Sequence, residues 1–130
     1  MKKELIESNP LLKLSIEFSL AVIIYCEKLN ETKNFILAKQ LLKSATSIGA
    51  NSMEAQNCES RADFIHKLKI AAKEGDETQY WLILCRNAPN IPKPDGLEEK
   101  LEALNKILGS ILHTAKRKSP FSYLLSYFIL

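Results

Sequence analysis

Glycine and proline are scarce in this 130-residue chain, at four and five. Tight β-turns draw on those two residue types, so their shortage excludes an all-β fold built from many hairpins. Cysteine is equally sparse: Cys26, Cys58 and Cys85, an odd number with no C-x-x-C pair. That spacing argues against a disulfide framework or a zinc knuckle, and a reducing cytoplasm is the expected setting. The three thiols read as small buried hydrophobes. Long uncharged runs are missing too. Within the first helical pattern the longest, Phe18 to Cys26, spans 9 residues, against the roughly 20 that cross a bilayer. The opening residues place Glu4 and Glu7 where a secretory signal would need an apolar core.

Recognisable catalytic chemistry is also lacking. The chain has no Walker loop, no G-x-G-x-x-G and no G-x-S-x-G. A di-iron bundle needs Glu-x-x-His on two helices; the only approximation is Asp63-Phe-Ile-His66, while His113 follows Ser110 by three. Nothing local activates a thiolate for Cys–His catalysis. The expectation is a non-enzymatic protein with no metal and no cofactor.

What is present is apolar surface and unevenly placed charge. Apolar residues make up 46% of the chain and charged ones 25%, enough to build a core and to exclude whole-chain disorder. The formal net charge of +3 conceals a basic middle: residues 33–73 hold seven basic and three acidic groups, whereas residues 74–92 hold one and three. A second basic cluster is Lys116-Arg117-Lys118.

Four helical segments stand out. The first opens at Pro10 behind Asn9 or Ser8 as cap and runs to about Asn30. One stripe on it is Leu11, Leu14, Phe18, Tyr25 and Leu29, with Val22 beside; a second is Leu12, Ile16, Leu20 and Ile23. A bundle helix needs one stripe, so the second predicts a partner surface and hence self-association. The next segment, about Lys33 to Cys58, carries Ala38, Leu41, Ala45, Ile48, Ser52 and Ala55 at alternating steps of three and four. Its small seam residues, with Gly49, predict a close helix approach. The third is capped by Ser60 with Asp63 three residues on and carries Phe64, Leu68, Ala71, Gly75, Thr78, Leu82 and Cys85 until a proline-rich stretch stops it. The fourth, capped by Asp95, uses Leu97, Leu101, Leu104, Leu108, Ile111 and Leu112 and ends near Lys118. Short connections make neighbours antiparallel. The predicted architecture is an all-α, up-down-up-down antiparallel four-helix bundle over residues 1–118.

Residues 119–130 form an apolar C-terminal tail, expected to dock on the bundle or on a neighbouring subunit. Lys39, Lys43, His66, Lys69 and Lys73 share outward helical faces and are the candidate phosphate-contacting residues. The stripe Gln40, Ser44, Ser47, Asn51 and Glu54 is either a solvated face or a polar network between helices or subunits. Tyr80 and Trp81 read as core or interface packing, since the run continues Leu-Ile-Leu. The basic faces are candidates for contact with the phosphates of RNA or DNA, with a protein-interaction scaffold as the alternative.

Two strings carry a resemblance: Lys43-Ser-Ala-Thr-Ser-Ile-Gly-Ala-Asn-Ser-Met-Glu-Ala55, and the stretch from Asp63 to Leu84 through Phe64, Ile70-Ala71, Glu74, Glu77 and Tyr80-Trp81. They are similar to the signature helices of the 23S rRNA intervening-sequence proteins, a family sharing its superfamily with the accessory variability determinant of diversity-generating retroelements. The resemblance covers residues 10–115, and Lys43, Asn51 and Glu54 stand where the family has a basic residue, Asn and Glu. It implies a homopentameric barrel of four-helix bundles in the cytoplasm, without enzymatic activity. For the retroelement relative it implies binding to nucleic acid and to a reverse transcriptase. Ala45, Ile48, Gly49, Asn51, Ser52, Glu54, Phe64, Tyr80 and Trp81 are accordingly the expected helix–helix or subunit contacts.

Overall fold

In a computed structural model, which describes residues 3–117, the chain is all-α: α1 (Lys3–Ser8), α2 (Pro10–Glu31), α3 (Phe35–Ala55), α4 (Arg61–Asn87) and α5 (Leu97–Arg117). The predicted tail, residues 119–130, lies outside the described residues. Four of these helices are the expected ones. The fifth, α1, was not expected; it is six residues long and buries no side chain.

Local chemistry sets most boundaries. The Asn9 side chain accepts from the backbone N–H groups of Leu11 and Leu12 at 3.0 and 3.3 Å, with Pro10 following. Ser60 accepts from the Asp63 N–H at 3.1 Å and starts α4. The α3 segment is shorter than its pattern suggested. Lys33 adopts φ 64 and delays the start to Phe35, and the chain turns at Gln56 and Asn57 before reaching Cys58. Asp95 is not the cap of α5. Gly96, at φ +88, gives its carbonyl to the Lys100 N–H, and Asp95 instead pairs with Arg86 at 2.9 Å. α4 runs unbroken through Gly75.

The helices pack as a ring in sequence order, each against the next and α5 against α2. Every seam is antiparallel, as its cross-links show. The Cys26 thiol points to the Ala38 carbonyl at 3.5 Å; the Glu54–Lys67 pair closes at 2.7 Å; Arg86 meets Glu98 at 2.5 Å. At one end the Tyr25 hydroxyl donates to the Pro92 carbonyl at 2.5 Å. At the other, the Arg61 Nε donates to the Ala115 carbonyl at 2.9 Å.

The core is the apolar inner face of these four helices. On α4 the buried residues are Phe64, Leu68, Ala71, Gly75, Thr78, Leu82 and Cys85, a heptad-like stripe whose 3.5-residue period keeps one face inward. α5 contributes Leu97, Leu101, Leu104, Leu108, Ile111, Leu112 and Ala115. On α2 the first stripe is covered, with Leu12 from the second. Ile16 is half-buried, while Leu20 and Ile23 are exposed. Leu20 and Ile23 stand 56% and 41% in solvent, so the bundle itself leaves the later half of the second stripe uncovered.

Candidate functional site

α3 and α4 present the basic middle. Their seam holds the polar stripe: the Thr78 hydroxyl donates to the Ser44 hydroxyl at 2.9 Å with both side chains fully buried. Gln40, Ser47 and Asn51 are half-buried beside it. Ser47 Oγ and Asn51 Nδ2 bond carbonyls one turn back on their own helix, at 2.7 and 2.9 Å. Glu54 ends the stripe in its exposed pair with Lys67. The stripe therefore runs along the α3–α4 seam of the chain and grades from buried at Ser44 to solvated at Glu54.

Outward of that seam, Lys39, Lys43, His66, Lys69 and Lys73 are all exposed. Their positions opposite the buried stripes of α3 and α4 follow from the 100° per-residue rotation. None of the five enters an ion pair or a hydrogen bond among the described residues. Several other cations are held in place, among them Arg86 by Glu98 and Asp95, Lys67 by Glu54, and Lys93 by the Arg86 and Ala88 carbonyls at 2.9 and 3.0 Å. Lysines on the other helices, such as Lys13, Lys28 and Lys106, are exposed as well, so what distinguishes the five is their grouping on α3 and α4. Unpaired, solvated cations are the ones free to displace counterions from a phosphate backbone. Three acids of α4 interrupt the surface, exposed Asp76 and Glu77 and half-buried Glu74. Glu74 has its carboxyl pushed up by burial and by Glu77, with Lys43 near enough to pull it partly back.

The remaining predicted contact residues are spread between the core and the surface. Ala45, Ile48, Ser52 and Phe64 are buried within the bundle. Gly49 lies against α2, where a β-carbon would stand 3.1 Å from that of Ser15, so its missing side chain is what lets the two helices approach. Trp81 is partly buried against the core and donates from Nε1 to Glu77 at 3.1 Å. Tyr80 meets it edge to face, centroids 5.2 Å apart, and is exposed.

Cys26 and Cys85 are buried and Cys58 is half-buried, all as free thiols. Burial first, then the neighbouring Cys85, pushes the Cys26 thiol up to about 11. Burial also raises Cys85 and, above all, the Tyr25 hydroxyl. Burial thus favours the protonated form of all three groups. No three His, Cys, Asp or Glu converge as a metal site among the described residues, and no helix there is long and apolar enough to cross a membrane.

Sequence reasoning missed the surroundings of Ser15. It is buried, and its hydroxyl is without a partner. It lines an open groove between α2 and α3 of about 210 Å³. The signal was available only as a pairing, since Ser15 becomes notable once Gly49 is placed opposite it.

Three comparisons bear on this arrangement. Residues 7–110 match the family described as the 23S rRNA-intervening sequence protein. A solved crystal structure, of a protein with unknown function from the S23 ribosomal protein family of Bacteroides thetaiotaomicron, superposes with a TM-score of 0.74 at 42% identity. The match covers 80% of this chain and 99% of that one. No curated protein matches the chain.

Proposed function

Because the chain belongs to the 23S rRNA-intervening sequence protein family, we propose that it is a non-enzymatic, self-assembling accessory protein of the cytoplasm that binds structured RNA or DNA through the outer face of α3 and α4. The observation that carries this reading is the set Lys39, Lys43, His66, Lys69 and Lys73. All are exposed, none is neutralised by an ion pair, and they lie on two adjacent antiparallel helices. The phosphate backbone is the ligand such a surface fits, because each neutralised phosphate releases counterions and adds a salt-sensitive increment. The contacts are of the positioning kind, made to backbone rather than base edges.

A single copy offers few such contacts, and repetition around a ring multiplies them. The assembly we propose is the homopentameric barrel implied by the family resemblance. Support within this chain comes from Ile24 on α2 and Phe35 and Ile36 at the start of α3, all large apolar side chains in solvent. Exposed apolar clusters of this kind mark association surfaces.

The test is a titration of purified protein against a structured RNA and a DNA duplex at two salt concentrations. Binding at about 50 mM salt that weakens steeply toward about 200 mM supports the reading. No binding at the lower salt, or affinity indifferent to salt, contradicts it.

A further inference from the structure

The groove between α2 and α3 is the least explained surface of the bundle. Its walls are largely apolar, Leu12, Ile16 and Leu20 from α2 and Ala50 and Met53 from α3, with the hydroxyls of Ser19 and Thr46 among them, and none of its lining residues is charged. Its floor is the Ser15–Gly49 approach, where the Ser15 hydroxyl is the one buried side-chain oxygen lacking a hydrogen bond among the described residues. At about 210 Å³ it is smaller than the roughly 300–1,000 Å³ of a small-molecule site. That volume suits a few side chains of a peptide segment.

This chain has such a segment. Residues 121–130 hold eight apolar side chains, two serines and no charge. The family match stops at residue 110, so the segment lies outside the part this chain shares with that family. It also emerges in the right place. Arg61 holds the Ala115 carbonyl, which puts the last turn of α5 at the end of the bundle where α4 begins. The antiparallel seams bring Leu12 and Met53 to that same end. Thirteen residues follow Arg117, and at about 3.3–3.6 Å each they reach roughly 40 Å. Two helix diameters amount to about 20–24 Å, and the axial run from Leu12 to Leu20 to about 12 Å. The segment reaches the groove with length to spare.

We propose that residues 119–130 fold back on their own bundle and seat apolar side chains in the α2–α3 groove, with a hydroxyl from Ser122, Ser126 or a neighbouring tyrosine completing Ser15. The occupant matches the groove in chemistry, being uncharged, apolar and interspersed with hydroxyls. Ile24, Phe35 and Ile36 stay outside the groove and remain available to other copies. The proposal is independent of nucleic-acid binding.

Photo-crosslinking of the full chain tests it, with benzoylphenylalanine placed at Leu124 and the crosslinked peptides identified by mass spectrometry. The expected result is a product of single-chain mass joined to residues 11–20 or 46–53. The yield should fall at least tenfold when Ala50→Arg, an exposed site on the groove rim, puts a charge there. Circular dichroism checks that the Ala50→Arg protein is still helical. Three results would overturn the proposal: crosslinks to any other segment, the same peptides joined between two chains, or a yield that Ala50→Arg leaves unchanged.

Discussion

The Thr78 hydroxyl lies 2.9 Å from the Ser44 hydroxyl in the fully buried centre of the α3–α4 seam. Ser44 passes the chain of bonds on to the Leu41 carbonyl at 3.3 Å, and Thr78 is also 2.7 Å from the Glu74 carbonyl. Two polar side chains thus satisfy each other within an otherwise largely apolar seam. Removing one partner leaves the other short of a bond at a cost of about 1 kcal/mol, whereas removing both is close to neutral. Thr78→Val should therefore lower stability by about 1 kcal/mol. The double variant with Ser44→Ala should lower it by no more than that, a favourable coupling that chemical denaturation resolves. Additive losses would show that the pair does not act as a unit.

Ile24 of α2 and Ile36 of α3 stand 59% and 79% in solvent, outside the α2–α3 groove. Replacing both by Glu removes no buried contact within the chain, so helicity and denaturation midpoint should hold to within about 0.5 kcal/mol. The assembled species seen in sedimentation or native mass spectrometry should shift to the single-chain mass. Loss of helicity together with assembly would mean that this face supports the fold itself.

The Arg86–Glu98 contact sets a pH response. Arg86 holds the Glu98 carboxyl below the ordinary carboxylate range, so the folded value lies below the unfolded one of about 4.3. A depressed carboxyl contributes stability that is present above the unfolded value and lost as pH falls through the folded one. Thermal melts should show wild type above Glu98→Gln at pH 7. The gap should narrow as pH falls below the unfolded value of about 4.3 and close only once pH has passed the lower folded value, where Glu98 is protonated in both states. A gap that persists in acid would assign the effect to packing.

Thiol reactivity should follow burial. At pH 7.5 Cys58, half-buried, should accept maleimide first, while Cys26 and Cys85 react only after unfolding, because burial holds both thiols protonated. Mass spectrometry of timed aliquots reads the order directly. Early modification of Cys26 or Cys85 would mean that the α2–α4 interior opens.

The bundle was legible because its seams are written at heptad spacing. All seven buried positions of α4 are the residues that the pattern singled out, and on α3 only Ser44 was missing from the inner stripe. The caps at Asn9 and Ser60 were readable for the same reason, a side-chain acceptor standing directly before the first turn. Asp95 misled because a short acidic side chain serves either a helix N-terminus or a nearby guanidinium, and only the fold brings Arg86 within reach. α1 buries nothing, so no periodic apolar signal marked it. The second stripe of α2 shows what sequence leaves out: apolar spacing is the same whether a neighbouring helix or a separate surface covers it. The basic residues were legible as outward-facing, but their freedom from ion pairs depended on where every acid came to rest.

The most direct test of the account compares the salt dependence of RNA binding for wild type and a variant with Lys39, Lys43, Lys69 and Lys73 all changed to Gln. These side chains are exposed and unpaired, so the variant should keep its helicity. Each phosphate contact contributes about 0.9 to the slope of log K against log salt on duplex DNA and about 0.7 on a single strand. The account predicts a slope reduced by several such increments, together with at least tenfold weaker binding at about 100 mM salt. A variant that binds with the wild-type affinity and slope would contradict it, and would move any nucleic-acid contact away from α3 and α4.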